Sequence, residues 1–385
     1  MLPIDFNKHN EQVLKLQEEK RNGIPSRMEM TISCNPRMIL SDPNLNTNNI
    51  TFENYMKNPQ QMMDIQCQFQ EYSSNNIIYD RILGFDSLKE LTVYTDLQNV
   101  YEPSYYGCEV AYHGIYEPGT KVLLNDDNKY SFVDKPFPSC FDGLAGNIFT
   151  YYDYFTEQIK AGRTYKGKPI VTPIPVDGCT DGPFTLACCL LGATEMCIDL
   201  YEDEAYAMAL LEYITDSTIY RIKQTRKHYG YPEKRDGFFF ADDSIAMLSC
   251  NDYQKFILPF HKKLIRELST GVNPNGIHLC GDASRHFKTI ANELNVNSFD
   301  TGFPIHHGAL VQELGPNITI SGGVHVSLLQ SGTPDEIKAE AKRIIDEVKP
   351  HTKNFIMKEA NNLSPATPPK NILALYEAVK EYGIY

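Results

Sequence analysis

The stretch Gly276-Ile277-His278-Leu279-Cys280-Gly281-Asp282 is a short apolar run that ends in a histidine and a cysteine. Side chains alternate between the two faces of a strand, so we predict that His278 and Cys280 lie on the same face. An imidazole and a thiolate in this arrangement are ligands that zinc prefers. One His-x-Cys pair is only half of a zinc site, and a buried strand that ends in two mildly polar residues has the same pattern. The surrounding sequence therefore has to decide between these two interpretations.

Segments with strand patterns, each followed by a helical pattern, recur on both sides of this stretch. The helix that starts at Thr333 is the clearest, because Thr333 is a good N-cap, Pro334 suits the first helical position and Glu336 completes a capping box. A long helix is predicted over about 202–228, and another over about 251–268 with a kink at Pro259. Repeated strand-then-helix units predict a parallel sheet. The strands are predicted at 169–175, 237–241, 277–280, 298–300, 318–321 and 355–357.

A parallel sheet of this kind is either a closed (β/α)₈ TIM barrel or an open doubly wound sheet. No G-x-G-x-x-G run follows an early strand, so the open dinucleotide-binding fold lacks its signature. Polar residues and a glycine pair lie instead at the ends of many different strands, which meet at one mouth in a barrel. We therefore predict the α/β class with a (β/α)₈ TIM barrel. These residues are Asp177, Asp242, Asp243, His278, Cys280, Asp300, Gly322, Gly323, Glu359 and Asn361.

The first part of the chain is less regular. Residues 1–25 are polar with apolar residues at helical spacing, which predicts an amphipathic lead-in helix. Residues 73–150 mix short strand-like runs, turns and many tyrosines, and we predict an irregular excursion there. Both segments extend the barrel at its N-terminal side, so the expected organisation is a single TIM-barrel domain over residues 1–385.

Composition narrows the class of partner. The formal net charge is −13, which makes nucleic acid an unfavourable partner. No apolar run approaches the length that spans a membrane, and the first residues lack a signal-peptide pattern. Ten cysteines without a C-x-x-C pair, in a chain of this size, indicate reduced thiols and not a disulfide framework. We therefore expect a cytoplasmic protein without a membrane partner.

Several motifs together resemble the uroporphyrinogen decarboxylase superfamily over about residues 165–385. Within that superfamily, the His-x-Cys motif is more similar to the zinc-dependent corrinoid methyltransferases than to the decarboxylase, and it is similar to the site of cobalamin-independent methionine synthase. The resemblance implies a barrel that binds zinc at its mouth. The motifs are Asp242-Asp243 with Met247-Leu248-Ser249, Pro259-Phe260-His261-Lys262-Lys263, His278-Leu279-Cys280-Gly281, Ser331-Gly332-Thr333-Pro334-Asp335-Glu336 and Pro365-Ala366-Thr367-Pro368-Pro369-Lys370-Asn371-Ile372.

The resemblance also implies further zinc ligands beside His278 and Cys280, and here the chain departs from the family. Thiol-methylating members have a second thiolate before the last Pro-x-Thr-Pro, where this chain has Asn361. A neutral amide oxygen is a much poorer zinc ligand than a thiolate. The methionine-synthase-like branch has a carboxylate on the next strand, where this chain has Asp300. Glu359 is positioned to replace the missing thiolate, and a pocket without metal remains the alternative.

Other polar residues have both a structural and a functional interpretation. Asp242 and Asp243 either cap the turn after their strand or take part in catalysis. We assign both to catalysis, together with Asp300 where it is not a ligand. Asp177 and Asp181 flank a glycine-rich turn and serve the turn or the substrate. His307 follows a loop, where it is a surface residue or contacts a ligand. We assign Asp177, His307 and Asn361 to substrate binding.

The resemblance implies a methyltransferase of a corrinoid system, with zinc bound by the enzyme and cobalamin carried by a partner corrinoid protein. An oxygen or nitrogen leaving group needs protonation or a Lewis acid. A site that lacks the second thiolate suits an oxygen or nitrogen leaving group better than it suits activation of a thiol. We therefore expect demethylation of a small methoxy or methylamine substrate, with the methyl group passed to cobalt. Association of copies of the chain as a homo-oligomer is left open.

Three alternative functions also remain open. The first is transfer from a methylcorrinoid to an acceptor, the second is a metal-free binding barrel, and the third is a uroporphyrinogen decarboxylase-like lyase. The decarboxylase has an Arg-Gln-Ala-Gly-Arg-Tyr run near its N-terminus. The nearest counterpart here is different: Arg27-Met28-Glu29-Met30-Thr31-Ile32-Ser33-Cys34-Asn35-Pro36-Arg37.

Overall fold

Strands and helices alternate through the second half of the chain, as the sequence predicts. The computed structural model describes residues 4–171, 173–176 and 179–385. Asp177, which was assigned to substrate binding, lies outside the described residues. The strands in this part of the chain are β1 Glu29–Met30, β2 Val110–His113, β3 Tyr116–Thr120, β4 Thr164–Tyr165, β5 Lys168–Pro169, β6 Phe239–Ala241, β7 Asn275–Leu279, β8 Val296–Thr301, β9 Thr319–His325 and β10 Phe355–Ala360.

Most helices are amphipathic and bury one apolar stripe. Short turns of other helix types lie at Phe85–Ser87, Gln98–Val100 and Asp243–Met247 (3₁₀) and at Tyr253–Ile257 (π). The α-helices are α1 Phe6–Arg21, α2 Arg37–Leu40, α3 Phe52–Lys57, α4 Pro59–Asn76, α5 Tyr101–Tyr105, α6 Lys129–Phe132, α7 Gly143–Lys160, α8 Pro183–Leu191, α9 Ala193–Glu202, α10 Glu204–His228, α11 Cys250–Asp252, α12 Leu258–Leu268, α13 Ser284–Leu294, α14 His307–Leu314, α15 Val326–Ser331, α16 Pro334–Val348 and α17 Pro369–Tyr382.

The main sheet has the strand order β1-β10-β9-β8-β7-β6. The pairs β1/β10, β10/β9 and β6/β7 are parallel, and helices connect successive strands from β6 onward. This arrangement confirms the predicted α/β class, and the fold is TIM-barrel-like. The strands are buried because helices cover the faces of such a sheet, so Ile277 and Leu279 of β7 and Phe240 of β6 are fully buried.

Capping residues and prolines mark the starts of several helices in the second half of the chain. The Thr333 capping box and the first-turn proline of α16 are confirmed. The helix predicted over about 251–268 is present as α11, the π turn and α12, which follow one another without a gap, and Pro259, the second residue of α12, lies just after the π turn. The kink at Pro259 stays a prediction. In α17, Pro368 is the N-cap, and the hydroxyl of the preceding Thr367 donates to Ser364 O at 2.7 Å.

Gly322 and Gly323 were expected in a turn after their strand, but both lie inside β9. The reason is close packing. A Cβ on Gly322 would lie 2.6 Å from Nε2 of His307 and would also collide with the Thr301 hydroxyl. A glycine inside a strand often marks such a close approach. The sequence alone therefore placed the end of this strand too early.

The described chain divides into two units. The first unit comprises Met1–Val93, Phe155–Pro173 and Phe299–Tyr385, and the second comprises Tyr94–Tyr154 and Ile174–Ser298. The expected single domain over residues 1–385 stays a prediction. Within the described residues, no single helix is long and apolar enough to cross a membrane. Helices α8 and α9, which are bent by 107° relative to each other, meet the length and composition requirement together.

In the first unit, β1 is short and is anchored by a buried ion pair. Arg27 donates to both carboxylate oxygens of Asp80, at 2.9 and 2.5 Å. The same carboxylate accepts from the backbone N–H of Met30 at 2.8 Å and from the hydroxyl of Tyr376 at 3.1 Å. A two-residue strand has few backbone hydrogen bonds of its own, so these contacts fix its position. The predicted lead-in helix is confirmed as α1.

The part of the predicted excursion over 73–150 that belongs to the second unit, residues 94–150, contains more regular structure than expected. Strands β2 and β3 form an antiparallel hairpin, and α5 and α6 are short helices. Helix α7 starts at Gly143 inside this stretch and was not predicted. Its two glycines and several aromatic residues have low or average helix propensity, so the local signal for a helix is weak.

Candidate metal centre

Strand β7 and the residue after it place an imidazole beside a thiol. His278 Nε2 lies 3.0 Å from Cys280 Sγ, as expected for side chains two residues apart on one face of an extended segment. Gly281 then turns the chain away with a positive φ of 71°, which a glycine adopts without strain. The predicted pairing of His278 with Cys280 is therefore confirmed as a structural feature.

A carboxylate joins this pair from the neighbouring strand. Asp243 follows β6 and begins the 3₁₀ turn, and its Oδ1 accepts from the backbone N–H of Cys280 at 2.6 Å. The same oxygen lies 4.0 Å from His278 Nε2. The ligand atoms of Asp243, His278 and Cys280 all lie within 4.8 Å of one another. Nitrogen, sulfur and oxygen donors at this spacing fit the donor set of a zinc site that keeps an open position.

Asp242 is placed differently from its neighbour. It is fully buried, and its carboxylate accepts from the Thr185 N–H and hydroxyl, both at 2.7 Å, and from the Phe184 N–H at 3.3 Å. These two N–H groups belong to the first turn of α8, whose N–H groups have no partner within the helix. Asp242, which directly follows β6, therefore caps the N-terminus of α8. This contact fixes the backbone just before Asp243.

His261 of α12 completes the environment of Asp242. Its Nε2 lies 2.8 Å from Asp242 Oδ2, and its Nδ1 lies 3.2 Å from the hydroxyl of Tyr253. Both His261 and Asp242 are fully buried, so the pair is shielded from solvent. His261 had been noted only within a family motif, because no local pattern links it to Asp242, nineteen residues earlier.

Two residues of α13 hold the 3₁₀ turn that begins at Asp243. Arg285 donates from Nε to Leu248 O at 2.9 Å and from a guanidinium nitrogen to Ala246 O. His286 Nε2 donates to Ile245 O at 3.0 Å, and burial lowers the pKa of His286 to about 4. His286 is thus neutral near pH 7. Neither Arg285 nor His286 was predicted from the sequence, because both bind backbone carbonyl groups, which leave no pattern in the sequence.

A second acidic group lies near this centre in the same unit. Burial raises the pKa of Asp181 well above its usual value, and the charges of Glu102, Asp243 and Asp242 raise it further. Burial also raises the pKa of Glu102, although Arg221 opposes this, with 3.7 Å between the guanidinium nitrogen and the carboxylate oxygen. Arg221 donates to the Thr180 hydroxyl at 2.8 Å. Burial and the neighbouring negative charges therefore favour the neutral form of the Asp181 carboxyl.

We expect Gly182→Ala to destabilise the protein by about 1–3 kcal/mol, the usual cost of overpacking. A Cβ on Gly182 would lie 2.5 Å from Cγ and 2.6 Å from Cβ of Asp242. The carboxylate would have to move away from α8 and His261. Urea unfolding curves measure the effect. Gly119→Ala is the matched control, since a Cβ there meets nothing within 4 Å, and equal stability of the two variants would contradict this account.

The other predicted ligands, Asp300 and Glu359, belong to the first unit. Lys358 Nζ donates to both carboxylate oxygens of Asp300, at 2.6 and 2.7 Å. Glu359 is fully buried inside β10, and its Oε1 accepts from the Ser33 N–H at 2.9 Å. Its Oε2 has no hydrogen-bond partner among the described residues. Burial raises the pKa of Glu359 well above its usual value.

The predicted substrate residues His307 and Asn361 also belong to the first unit. His307 is the buried first residue of α14, with its Nε2 3.4 Å from the Thr301 hydroxyl, and burial lowers its pKa to about 4. It is therefore not the surface loop residue that the sequence suggested. Asn361 follows β10 with a positive φ of 103°, a conformation that asparagine tolerates better than most residues. The roles assigned to both residues stay predictions.

The chain matches one family model and two kinds of related protein, methyltransferases and decarboxylases. The sequence model of the uroporphyrinogen decarboxylase (URO-D) family matches residues 153–382. The methylated-thiol--coenzyme M methyltransferase of Methanosarcina mazei is 28% identical over 218 residues, which cover 55% of this chain and 54% of that protein. Several uroporphyrinogen decarboxylases are 24% to 28% identical.

The methylcobamide:CoM methyltransferase MtbA of Methanosarcina acetivorans is 22% identical over 214 residues, which cover 54% of this chain and 59% of that protein. The chain thus spans about half the length of the curated relatives that it matches. Among solved structures, a methyltransferase from Methanosarcina mazei superposes with a TM-score of 0.63 over 96% of this chain and 98% of that one. The sequence identity there is 16%, so this likeness shows a shared fold.

Proposed function

Because the chain belongs to the uroporphyrinogen decarboxylase family, and methyltransferases are among its relatives, we propose that it is a corrinoid-dependent methyltransferase. It takes a methyl group from a small methoxy or methylamine compound and passes it to the cobalt of a corrinoid protein. The methylcobamide in the name of one relative supports a corrinoid partner. The described cysteines form no disulfide bond, which supports a reducing cytoplasm as the place of action.

The observation that carries the proposal is the cluster of Asp243, His278 and Cys280. These side chains are the proposed ligands, and Asp243 takes the carboxylate role that the sequence analysis gave to Asp300. When bound there, zinc would supply a Lewis acid for an oxygen or nitrogen leaving group. The cluster contains one thiolate, and a site poor in thiolate charge suits such a leaving group better than it suits thiol activation.

The remaining residues of the second unit have positioning roles in this proposal. Asp242 and His261 hold the backbone before Asp243, while Arg285 and His286 hold the carbonyls after it. A catalytic group has to be held within a fraction of an ångström for efficient transfer. Asp242, which the sequence analysis assigned to catalysis, therefore acts through Asp243 and does not touch the substrate.

The proposed transfer balances without a redox co-reactant. The bond between the methyl carbon and the oxygen or nitrogen of the substrate breaks, and the bond between that carbon and Co(I) forms. Both electrons of the old bond stay on the leaving oxygen or nitrogen, which accepts a proton. The two electrons of the new bond come from Co(I), which becomes Co(III). The protein thus needs only to orient the methyl donor and stabilise the leaving group.

We expect the purified enzyme to convert free cob(I)alamin to methylcobalamin with at least one member of a panel of methoxy and methylamine compounds. Absorbance of methylcobalamin measures the rate. Demethylation should be faster than methylation of any thiol by methylcobalamin, because the proposed site holds only one thiolate. The control is the same mixture without enzyme, and a fast thiol reaction with the whole panel inert would reverse the proposed direction.

The transfer from methylcorrinoid to a thiol is the second candidate, and the relatives favour it by name, since two of them are coenzyme M methyltransferases. Coenzyme M is therefore included among the thiols in the reverse assay. Decarboxylation of uroporphyrinogen is tested in parallel, because decarboxylases are also among the relatives.

A further inference from the structure

An exposed apolar strip lies on the second unit along helix α9. It consists of Val122, Ile198, Tyr201 and Met247, whose exposed fractions are 56%, 46%, 69% and 50%. Two surface cavities of about 530 and 410 Å³ meet at this strip, and Ile198 lines both of them. Contiguous exposed apolar surface of this kind in a folded protein marks an interaction site more often than scattered single residues do.

Helix α9 has two apolar faces, and only one is needed for folding. Met196 and Leu200 are fully buried against the rest of the unit. Thr194, Ile198 and Tyr201 follow one another at the spacing of a second helix face, which is open to the surface cavity. A helix that covers a core on one side is expected to be polar on the other. The exposed face therefore has a use other than folding.

The strip extends to the 3₁₀ turn that carries Asp243 of the candidate metal centre. Met247 is the last residue of the 3₁₀ turn that begins at Asp243, so the two residues are separated by about 8 Å along the turn at roughly 2 Å per residue. The same turn is held to α13 by Arg285 and His286. A molecule seated on the strip would therefore contact, through Met247, the turn that carries the proposed ligand Asp243.

The charge around the strip selects the kind of partner. Three exposed carboxylates, Asp126, Glu195 and Glu202, line the two cavities. The one lysine that lines them, Lys129, is buried and donates to Asp199 at 3.0 Å. A second copy of this chain, which also carries a formal charge of −13, would bring like charges together. An anionic bilayer would be repelled for the same reason, whereas a basic rim on a partner protein would be attracted.

We propose that the apolar strip is the docking surface for the corrinoid carrier protein of the methyl transfer, which contacts it through an apolar patch ringed by lysine and arginine. The inference rests on the proposed function, because that function requires a protein-borne cobalt to approach the site beside Asp243. Apolar contact at the strip supplies affinity, and the carboxylates around it supply orientation and a faster encounter.

The test compares two acceptors for the same enzyme. Free cob(I)alamin needs no docking surface, whereas the carrier does. The carrier is the corrinoid protein of the same organism that is methylated by the wild-type enzyme, purified to homogeneity. Ile198→Lys with Tyr201→Ser is expected to raise the KM for the carrier at least tenfold and to leave the rate with free cob(I)alamin unchanged. Val272→Lys is the matched control, since Val272 is 74% exposed in the same unit and outside the strip.

A second variant tests the charges. Glu195→Lys with Glu202→Lys is expected to raise the KM for the carrier as well, and to abolish the rise in KM that added salt causes in the wild type. An unchanged KM in both variants would overturn the inference, as would a wild-type enzyme that methylates free cob(I)alamin but no corrinoid protein. The inference would also be overturned if the wild type bound anionic vesicles or dimerised and the variants did not. Failure of the wild type with every acceptor would instead reject the proposed function.

Discussion

Replacement of His278 by alanine is expected to abolish zinc binding and to reduce methyl transfer to cob(I)alamin roughly a thousandfold, the rate equivalent of about 4 kcal/mol of lost Lewis-acid stabilisation. The wild type should hold about one zinc per chain. The imidazole is one of three neighbouring donors. Without it, only Asp243 and Cys280 of this cluster would remain to bind zinc. Elemental analysis of the purified protein measures zinc independently of activity. Cys280→Ser should have a similar effect, because a hydroxyl is a far weaker zinc ligand than a thiolate.

The control for this prediction is His113→Ala. His113 is an exposed histidine at the end of β2 in the same unit, so the variant removes an imidazole without affecting the cluster. Zinc content should stay at the wild-type level. Wild-type protein without zinc after growth in zinc-replete medium, or a His278→Ala/Cys280→Ser double variant with full zinc content, would contradict the proposed ligand set.

Asp242→Ala is expected to lower the free energy of unfolding by about 3–5 kcal/mol, because each buried donor left without an acceptor costs about 1–3 kcal/mol. The carboxylate accepts from His261, from the Thr185 N–H and hydroxyl, and from the Phe184 N–H. Its removal leaves these donors buried without an acceptor and opens the N-terminus of α8. Urea unfolding curves followed by circular dichroism measure the change.

Two further variants make this prediction specific. Asp242→Asn keeps the volume and one acceptor oxygen, so its loss of stability should be smaller than that of the alanine variant. Asp236→Ala removes an exposed carboxylate three residues before β6 begins and should change the free energy of unfolding by less than about 0.5 kcal/mol. If Asp242→Ala were as stable as Asp236→Ala, the buried network would not be what holds the turn before Asp243.

The sequence by itself determined the features that depend on neighbouring residues. The capping box at Thr333 places all of its groups within three residues, so its chemistry is complete in the local sequence. The pairing of His278 with Cys280 follows from the two-residue period of an extended chain. The recurrence of strands and helices gave the α/β class, because each element is signalled by its own periodicity.

Only the tertiary structure decided which of the candidate residues meet. Asp243 and Cys280 are 37 residues apart, and Asp300 and Lys358 are 58 apart, so neither contact has a local signal. Adjacent Asp242 and Asp243 looked equivalent in sequence, yet one is buried against α8 and the other reaches His278 and Cys280. The side chains of neighbouring residues point in different directions, and the packing of helices against each strand selects which one is covered. Strand register and helix packing arise from the whole core, and for this reason the donor set of the candidate centre could not be obtained from the order of residues alone.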